Sequence, residues 1–118
     1  MKVEIDLKKW LRGEGGGNSC LYRGRDRKMC CLGFLGMACG VWKGAMLNVR
    51  APLGLTENNR KLFPRELNEK AIAAINDCKE VDDDIRMAWI EEAFLHLRAP
   101  DGTPCEVVWV GKNDSLGE

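Results

Sequence analysis

The stretch Met29-Cys-Cys-Leu-Gly-Phe-Leu-Gly-Met-Ala-Cys-Gly40 is the segment around which the rest of the chain can be arranged. Apolar side chains recur at spacings of three and four from here to Trp42, which predicts a buried helix over residues 29–42. Gly33, Gly36 and Gly40 share another face, and each glycine costs a helix about 1 kcal/mol relative to alanine. We therefore expect a neighbouring backbone or a ligand to press against the glycine face. A strand over residues 29–35 is the alternative.

A glycine loop (residues 13–17) and a basic segment precede this helix. The loop follows a predicted helix and precedes a predicted strand, so it does not match the phosphate-binding loops that open a helix. Exposed guanidinium groups beside glycine amides can still bind a phosphate, a nucleotide or an acidic protein surface. A mobile, solvated hairpin is the alternative, and in either case we expect Arg23, Arg25 and Arg27 to reach solvent. The candidate ligand-binding residues are Arg12, Gly13, Gly15, Gly16, Tyr22, Arg23, Arg25, Arg27 and Lys28.

The remaining patterns predict a single α+β domain over residues 1–112, followed by a C-terminal tail at residues 113–118. The predicted elements are a strand at 2–7, a helix at 7–12, a strand at 19–23, a turn at 24–27, the helix at 29–42, a surface connection at 43–59, a helix that begins at Pro64, a helix capped by Asp82 or Asp83, and a strand at 105–110. We expect a small, mostly antiparallel sheet packed on three to four helices. The two end strands should lie in the same sheet.

Charge and composition argue against several classes of function. The 118 residues include 18 basic and 18 acidic side chains, so no net charge attracts the chain to nucleic acid or to an anionic membrane. The apolar run at residues 29–42 is too short to cross a bilayer, and the first residues do not resemble a secretory signal. We therefore expect a cytoplasmic protein whose six cysteines are reduced and mostly buried. A monomer and a homodimer both remain open.

Cys30 and Cys31 are the candidate nucleophiles of a thiol-dependent hydrolase. A helix N-terminus lowers the pKa of a thiol, and the one histidine, His96, could act as the base. Three side chains are candidates to orient that imidazole: Asn76, Asp77 and Asp101. The favoured alternative is that both cysteines pack in the core. The cysteine spacing matches no zinc motif, so the sequence predicts no metal, and it predicts no cofactor.

Three segments together resemble a family of small proteins encoded by bacteriophages and prophages. They are Trp10-Leu-Arg-Gly-Glu-Gly15, Lys28-Met-Cys-Cys-Leu-Gly-Phe-Leu35 and Ala74-Ile-Asn-Asp77, and the Cys30-Cys-Leu-Gly33 part is the most specific. The resemblance implies a phage-type accessory protein in the cytoplasm of a bacterial host. It implies no particular activity.

These observations favour a non-catalytic binding module over an enzyme. Such a module would bind a host or defence protein, or sequester a small anionic or nucleotide ligand. In both cases the contact would be made through the glycine loop and the basic segment. The alternative function is the thiol-dependent hydrolase that uses Cys30 or Cys31 with His96.

Overall fold

The computed structural model describes residues 1–111, and the predicted tail at residues 113–118 lies outside the described residues. The strands and helices of the described part are β1 (Lys2–Asp6), α1 (Cys31–Ala38), α2 (Glu57–Arg60), α3 (Glu69–Asp77), α4 (Asp83–Leu95) and β2 (Glu106–Val110). Short 3-10 turns lie at Gly16–Asn18, Lys43–Met46 and Pro52–Gly54. Within residues 1–111, every helix is too short or too polar to cross a membrane.

β1 and β2 form a two-stranded parallel sheet, in which Val3 pairs with Val107 and Ile5 pairs with Trp109. The prediction that the end strands share a sheet is confirmed, whereas the prediction of a mostly antiparallel sheet is wrong. The alternating pattern correctly buries Val3 and Ile5, but it carries no information on strand direction. Because all four helices lie between the two strands in the chain, their connection is a long crossover of the kind that parallel strands require.

Residues 7–12 do not form the predicted helix. Leu11 N donates to Met29 O (2.8 Å), and Met29 N donates to Lys9 O (2.9 Å), so this segment pairs with the chain just before α1. Trp10 and Leu11 are each only 1% exposed. A helix this short has little intrinsic stability, so the burial of two large neighbouring side chains decides the conformation.

α1 is shorter than the helix predicted over residues 29–42, and the predicted close packing of the glycine face is found at Gly33 and Gly36 but not at Gly40. A Cβ atom at Gly33 would clash with the backbone oxygen of Leu21, and one at Gly36 would lie 2.8 Å from an aromatic ring. The helix ends before Gly40, whose φ of 97° is a conformation that favours glycine. The close approach of neighbouring residues therefore explains why glycine is present inside this helix despite its cost to helix stability.

Side-chain caps set the starts of α3 and α4. Asp82 accepts a hydrogen bond from Ile85 N (3.0 Å), which confirms the predicted start of α4. α3 begins after Asn68, which accepts a hydrogen bond from Ala71 N (3.1 Å), and not at Pro64 as predicted. Pro64 lies buried in the preceding loop. Proline is tolerated at a helix start but does not create one, whereas asparagine satisfies a free amide there.

Candidate functional site

Residues 22–28 form a tight turn that we call the basic hairpin. Arg23 N donates to Lys28 O (2.7 Å) across a single antiparallel bridge, and Arg27 N donates to Arg23 O (2.7 Å). The predicted turn is thus confirmed, but the predicted strand at 19–23 is present only as isolated bridges. This geometry fixes the positions of the cations that the sequence places here.

Arg23 is the buried centre of the basic hairpin. Its side chain is 8% exposed and contacts two carboxylates: Nη2 lies 2.6 Å from Asp26 Oδ2, and Nη1 lies 3.0 Å from Glu14 Oε1. Hydrogen bonding to Arg23 lowers the pKa of Asp26 to about 2. The prediction that Arg23 reaches solvent is wrong, because two nearby carboxylates supply the partners that a buried arginine requires. The Glu14 pair fastens the glycine loop to the basic hairpin, and the Asp26 pair lies within the hairpin.

The glycine loop binds the C-terminal end of α3. Gly13 N donates to Asn76 O (2.9 Å), and Gly15 N donates to Asp77 O (3.0 Å). Both glycines have a positive φ, 69° and 80°, which few other residues adopt. The amides of Gly13 and Gly15 are therefore committed to the fold and do not converge on an open site. Gly16 is exposed in the 3-10 turn that follows.

Arg12, another predicted binding residue, is also engaged within the fold. Its Nη2 lies 2.8 Å from Asp83 Oδ2, and its guanidinium carbon lies 4.9 Å from the centre of the Trp10 ring. Hydrogen bonding to Arg12 lowers the pKa of Asp83. The same carboxylate pairs with Arg86, which is 4% exposed. Two arginines thus share one acidic partner at the start of α4, and Arg12 holds that helix to the loop.

Arg25 and Arg27 are the arginines of the basic hairpin that reach solvent. Both are exposed, and neither side chain forms a hydrogen bond or an ion pair with any residue in 1–111. Lys28 and Tyr22 are half-buried at the base of the hairpin, where Lys43 Nζ lies 5.5 Å from the centre of the Tyr22 ring. Of the predicted binding residues in the hairpin, Arg25 and Arg27 therefore present exposed cations, whereas Lys28 and Tyr22 are partly covered.

An apolar rim that the sequence reasoning missed adjoins the basic hairpin. Trp42 is 77% exposed and Leu47 is 47% exposed, at the two ends of the turn Lys43–Met46. Leu47 Cδ1 lies 3.3 Å from the position of a Cβ atom at Gly24, so this turn packs directly on the hairpin. The periodicity placed Trp42 on a buried helix face, and Gly40 was the signal that the helix stops earlier. We define the hairpin surface as the exposed side chains of Arg25, Arg27, Trp42, Lys43 and Leu47.

Backbone strain is concentrated at this surface. Within residues 1–111, the non-glycine residues with a positive φ are Arg27 (59°) and Asn48 (57°). Asparagine tolerates this region, and Asn48 Oδ1 accepts a hydrogen bond from Gly24 N (2.9 Å). For Arg27 the conformation costs roughly 1–2 kcal/mol, and it closes the turn in which Arg27 N donates to Arg23 O (2.7 Å). The geometry of the turn itself therefore accounts for the left-handed conformation of Arg27.

A shallow cleft of about 320 Å³ opens beside the hairpin surface, between the glycine loop and the basic hairpin. Arg23 and Arg25 both line it, together with Asn18 and Asn48. Because Arg23 is neutralised by its two carboxylates, Arg25 supplies the unpaired charge of the cleft. The cleft can therefore receive one small anionic group.

The thiol hypothesis depended on a lowered cysteine pKa, and the structure gives the opposite shift. Cys30 and Cys31 are 4% and 0% exposed, and burial raises the pKa of Cys30 to about 11 and that of Cys31 well above its usual value. His96 is exposed at the end of α4, with Nε2 3.1 Å from Glu92 Oε2. A buried thiol of raised pKa is a poor nucleophile at neutral pH, so this geometry does not favour the hydrolase.

All six cysteines are free thiols in this structure. In the part of the chain from residue 1 to 111, no three His, Cys, Asp or Glu side chains are grouped to hold a metal ion.

The three segments that carry the phage-family resemblance meet at Asn76, which is 0% exposed. Its Oδ1 accepts hydrogen bonds from Trp10 Nε1 (2.8 Å) and Cys31 N (3.0 Å), and its Nδ2 donates to Leu11 O (2.9 Å). Each segment thus contributes to one buried, fully bonded amide. Buried amides need such partners, so this cluster serves the fold.

No protein-family model, no curated protein and no solved structure matches this chain. The phage-family resemblance therefore has no support beyond the three segments themselves, and it stays a prediction. The features that bear on function are the charges and the exposure of the hairpin surface.

Proposed function

We propose that this chain is a non-catalytic binding module that holds an acidic protein partner against the hairpin surface. The observation that carries the proposal is Arg27, exposed and unpaired within the described fold, on a hairpin that packs against the turn next to the exposed Trp42. Arginine and tryptophan are the residue types that most often dominate the binding energy of protein interfaces. Trp42 is also 77% exposed to water. A partner that covers it removes a large apolar area from water, which favours binding.

The fixed shape of the basic hairpin supports this proposal. The pairs that the buried Arg23 makes with the partly exposed Glu14 and Asp26 hold the backbone that presents Arg25 and Arg27. A partner therefore need not order this loop when it binds, which lowers the entropic cost of association. Exposed guanidinium groups bond carboxylates through two parallel donors, so a partner segment with acidic residues next to apolar ones fits the surface.

The phage-family resemblance extends the proposal to the biological setting. On that extension, the partner is a host or defence protein in the cytoplasm of a bacterium. A second candidate function is the capture of a small anion or nucleotide. The cleft of about 320 Å³ beside Arg25 is the observation that favours it.

Selection of a displayed random dodecapeptide library on the native protein tests the proposal. We expect the recovered peptides to combine Asp or Glu with Leu, Phe or Trp, and their affinity to fall as salt rises. The double variant Arg25→Gln, Arg27→Gly should weaken them about tenfold or more. Arg27→Gly alone should keep a thermal midpoint no lower than wild type, because glycine adopts the left-handed backbone without strain.

The matched control is the double variant Arg60→Gln, Arg65→Gln, which removes two exposed arginines outside the hairpin surface and should bind the selected peptides like wild type. Peptides that lack acidic residues, or that bind the hairpin variant as tightly as wild type, would refute the proposal. Failure to recover any peptide, combined with hairpin-dependent binding of a nucleoside triphosphate, would establish the second candidate instead.

A further inference from the structure

We infer a second and independent binding site, for a small organic anion with an apolar body, between the turn Pro52–Gly54 and the loop that follows α2. The structure has a depression of about 490 Å³ there. None of its lining residues belongs to the hairpin surface or to the cleft beside it. Sites of a few hundred cubic ångströms are the size that small organic ligands occupy, so the space is larger than a lone ion needs.

The charges that line this depression are mostly positive and mostly unneutralised. Arg60 and Arg65 form no side-chain hydrogen bond or ion pair with any residue from 1 to 111. Lys61 makes one ion pair, with Glu57 at 3.5 Å, and since its side chain is 68% exposed this pair is weak. The one lining carboxylate, Glu69, already accepts a hydrogen bond from a backbone amide (3.2 Å). The depression therefore offers three cationic side chains to the head group of an anionic ligand.

The other walls of the depression are apolar and stiff. Leu53 is 69% exposed at the rim, while Phe63 is 4% exposed below it. Pro52 begins the adjoining turn, and Pro64 is buried in the loop, so two proline rings restrict the backbone on both sides. A preformed wall lowers the cost of binding. The combination fits an aromatic or aliphatic body joined to a carboxylate, sulfonate or phosphate head.

Anilinonaphthalene sulfonate is a suitable probe, because it is an aryl sulfonate whose fluorescence rises in apolar surroundings. We expect saturable binding, with amide resonances shifting in residues 53–54, 60–63 and 65–69. The double variant Arg60→Gln, Arg65→Gln should weaken the probe about fivefold or more, as should Leu53→Ser. The matched controls are the hairpin double variant Arg25→Gln, Arg27→Gly, and Leu95→Ser, whose parent side chain is 55% exposed outside the depression. Both controls should bind the probe like wild type.

The outcomes separate this site from the hairpin surface, provided that circular dichroism shows the variants to be folded. Equal affinity of the Arg60, Arg65 variant and wild type would overturn the inference, as would resonance shifts confined to other residues. Complete displacement of the probe by an equal concentration of inorganic phosphate would also overturn it, since the apolar wall would then contribute nothing. Weaker probe binding by this variant, with unchanged binding of the selected peptides, would establish two independent sites.

Discussion

Replacement of Asn76 by alanine should be the most destabilising small substitution in the buried polar cluster. The change leaves three buried groups without their present partner: Trp10 Nε1–H, Cys31 N–H and Leu11 C=O. Each unsatisfied buried group costs about 1–3 kcal/mol. The small cavity left by the side chain adds to this cost, whereas partial relaxation of the surrounding residues reduces it. We therefore expect the free energy of unfolding to fall by about 3–5 kcal/mol.

Urea unfolding followed by tryptophan fluorescence measures this loss, because Trp10 is 1% exposed and reports on the core. The matched control is Asn58→Ala, which removes an exposed amide and should change the free energy of unfolding by no more than about 0.5 kcal/mol. If Asn76→Ala and Asn58→Ala unfold at the same urea concentration with the same slope, the buried amide does not organise the three segments and the reasoning is wrong.

Two further predictions test the close packing of α1 and the pair at the centre of the basic hairpin. Gly33→Ala should lower the free energy of unfolding by about 1–3 kcal/mol, because its Cβ would clash with Leu21 O. The control Gly17→Ala has open space around its Cβ and should change the free energy of unfolding by about 0.5 kcal/mol or less. Equal thermal midpoints for the two variants would contradict the close packing at Gly33. Asp26→Asn should cost no more than about 1 kcal/mol at neutral pH. The pKa of Asp26 is lowered by folding, so its contribution is present above the unfolded value of 3.8 and is lost as pH falls toward about 2. Urea midpoints across that range should therefore converge for Asp26→Asn and wild type, and a constant difference would show that the Arg23 pair is not responsible.

Short-range sequence patterns correctly predicted the elements that short-range interactions determine. The alternation over Lys2–Asp6 and the cap at Asp82 correctly predicted β1 and the start of α4. The direction of the sheet depends on which distant segments pair, and no local spacing records it. Residues 7–12 had the apolar spacing of a helix, yet pairing with Met29 overrides that preference. The close packing at Gly33 was predictable because a glycine inside a helix needs a reason.

The cluster of arginines predicted where the charged surface lies but not which charges are free. The Arg23 pair with Asp26 spans three residues and could have been anticipated, whereas its pair with Glu14 depends on how the glycine loop folds. The exposure of Trp42 follows from the end of α1 at Ala38, and boundaries of this kind are the least certain part of a sequence prediction. Which of these side chains are paired or buried depends on tertiary structure, so the sequence alone did not predict most of the site.

The parallel pairing of β1 with β2 has a mechanical consequence. Because the strands run in the same direction, Lys2 and Val110 lie at opposite ends of the ladder. Tension applied between those two residues would load all the inter-strand hydrogen bonds at once, in shear. A hairpin pulled from its two open ends would instead release its bonds one after another. An isolated pair of strands is only marginally stable in water, yet in this orientation the pair resists extension of the chain.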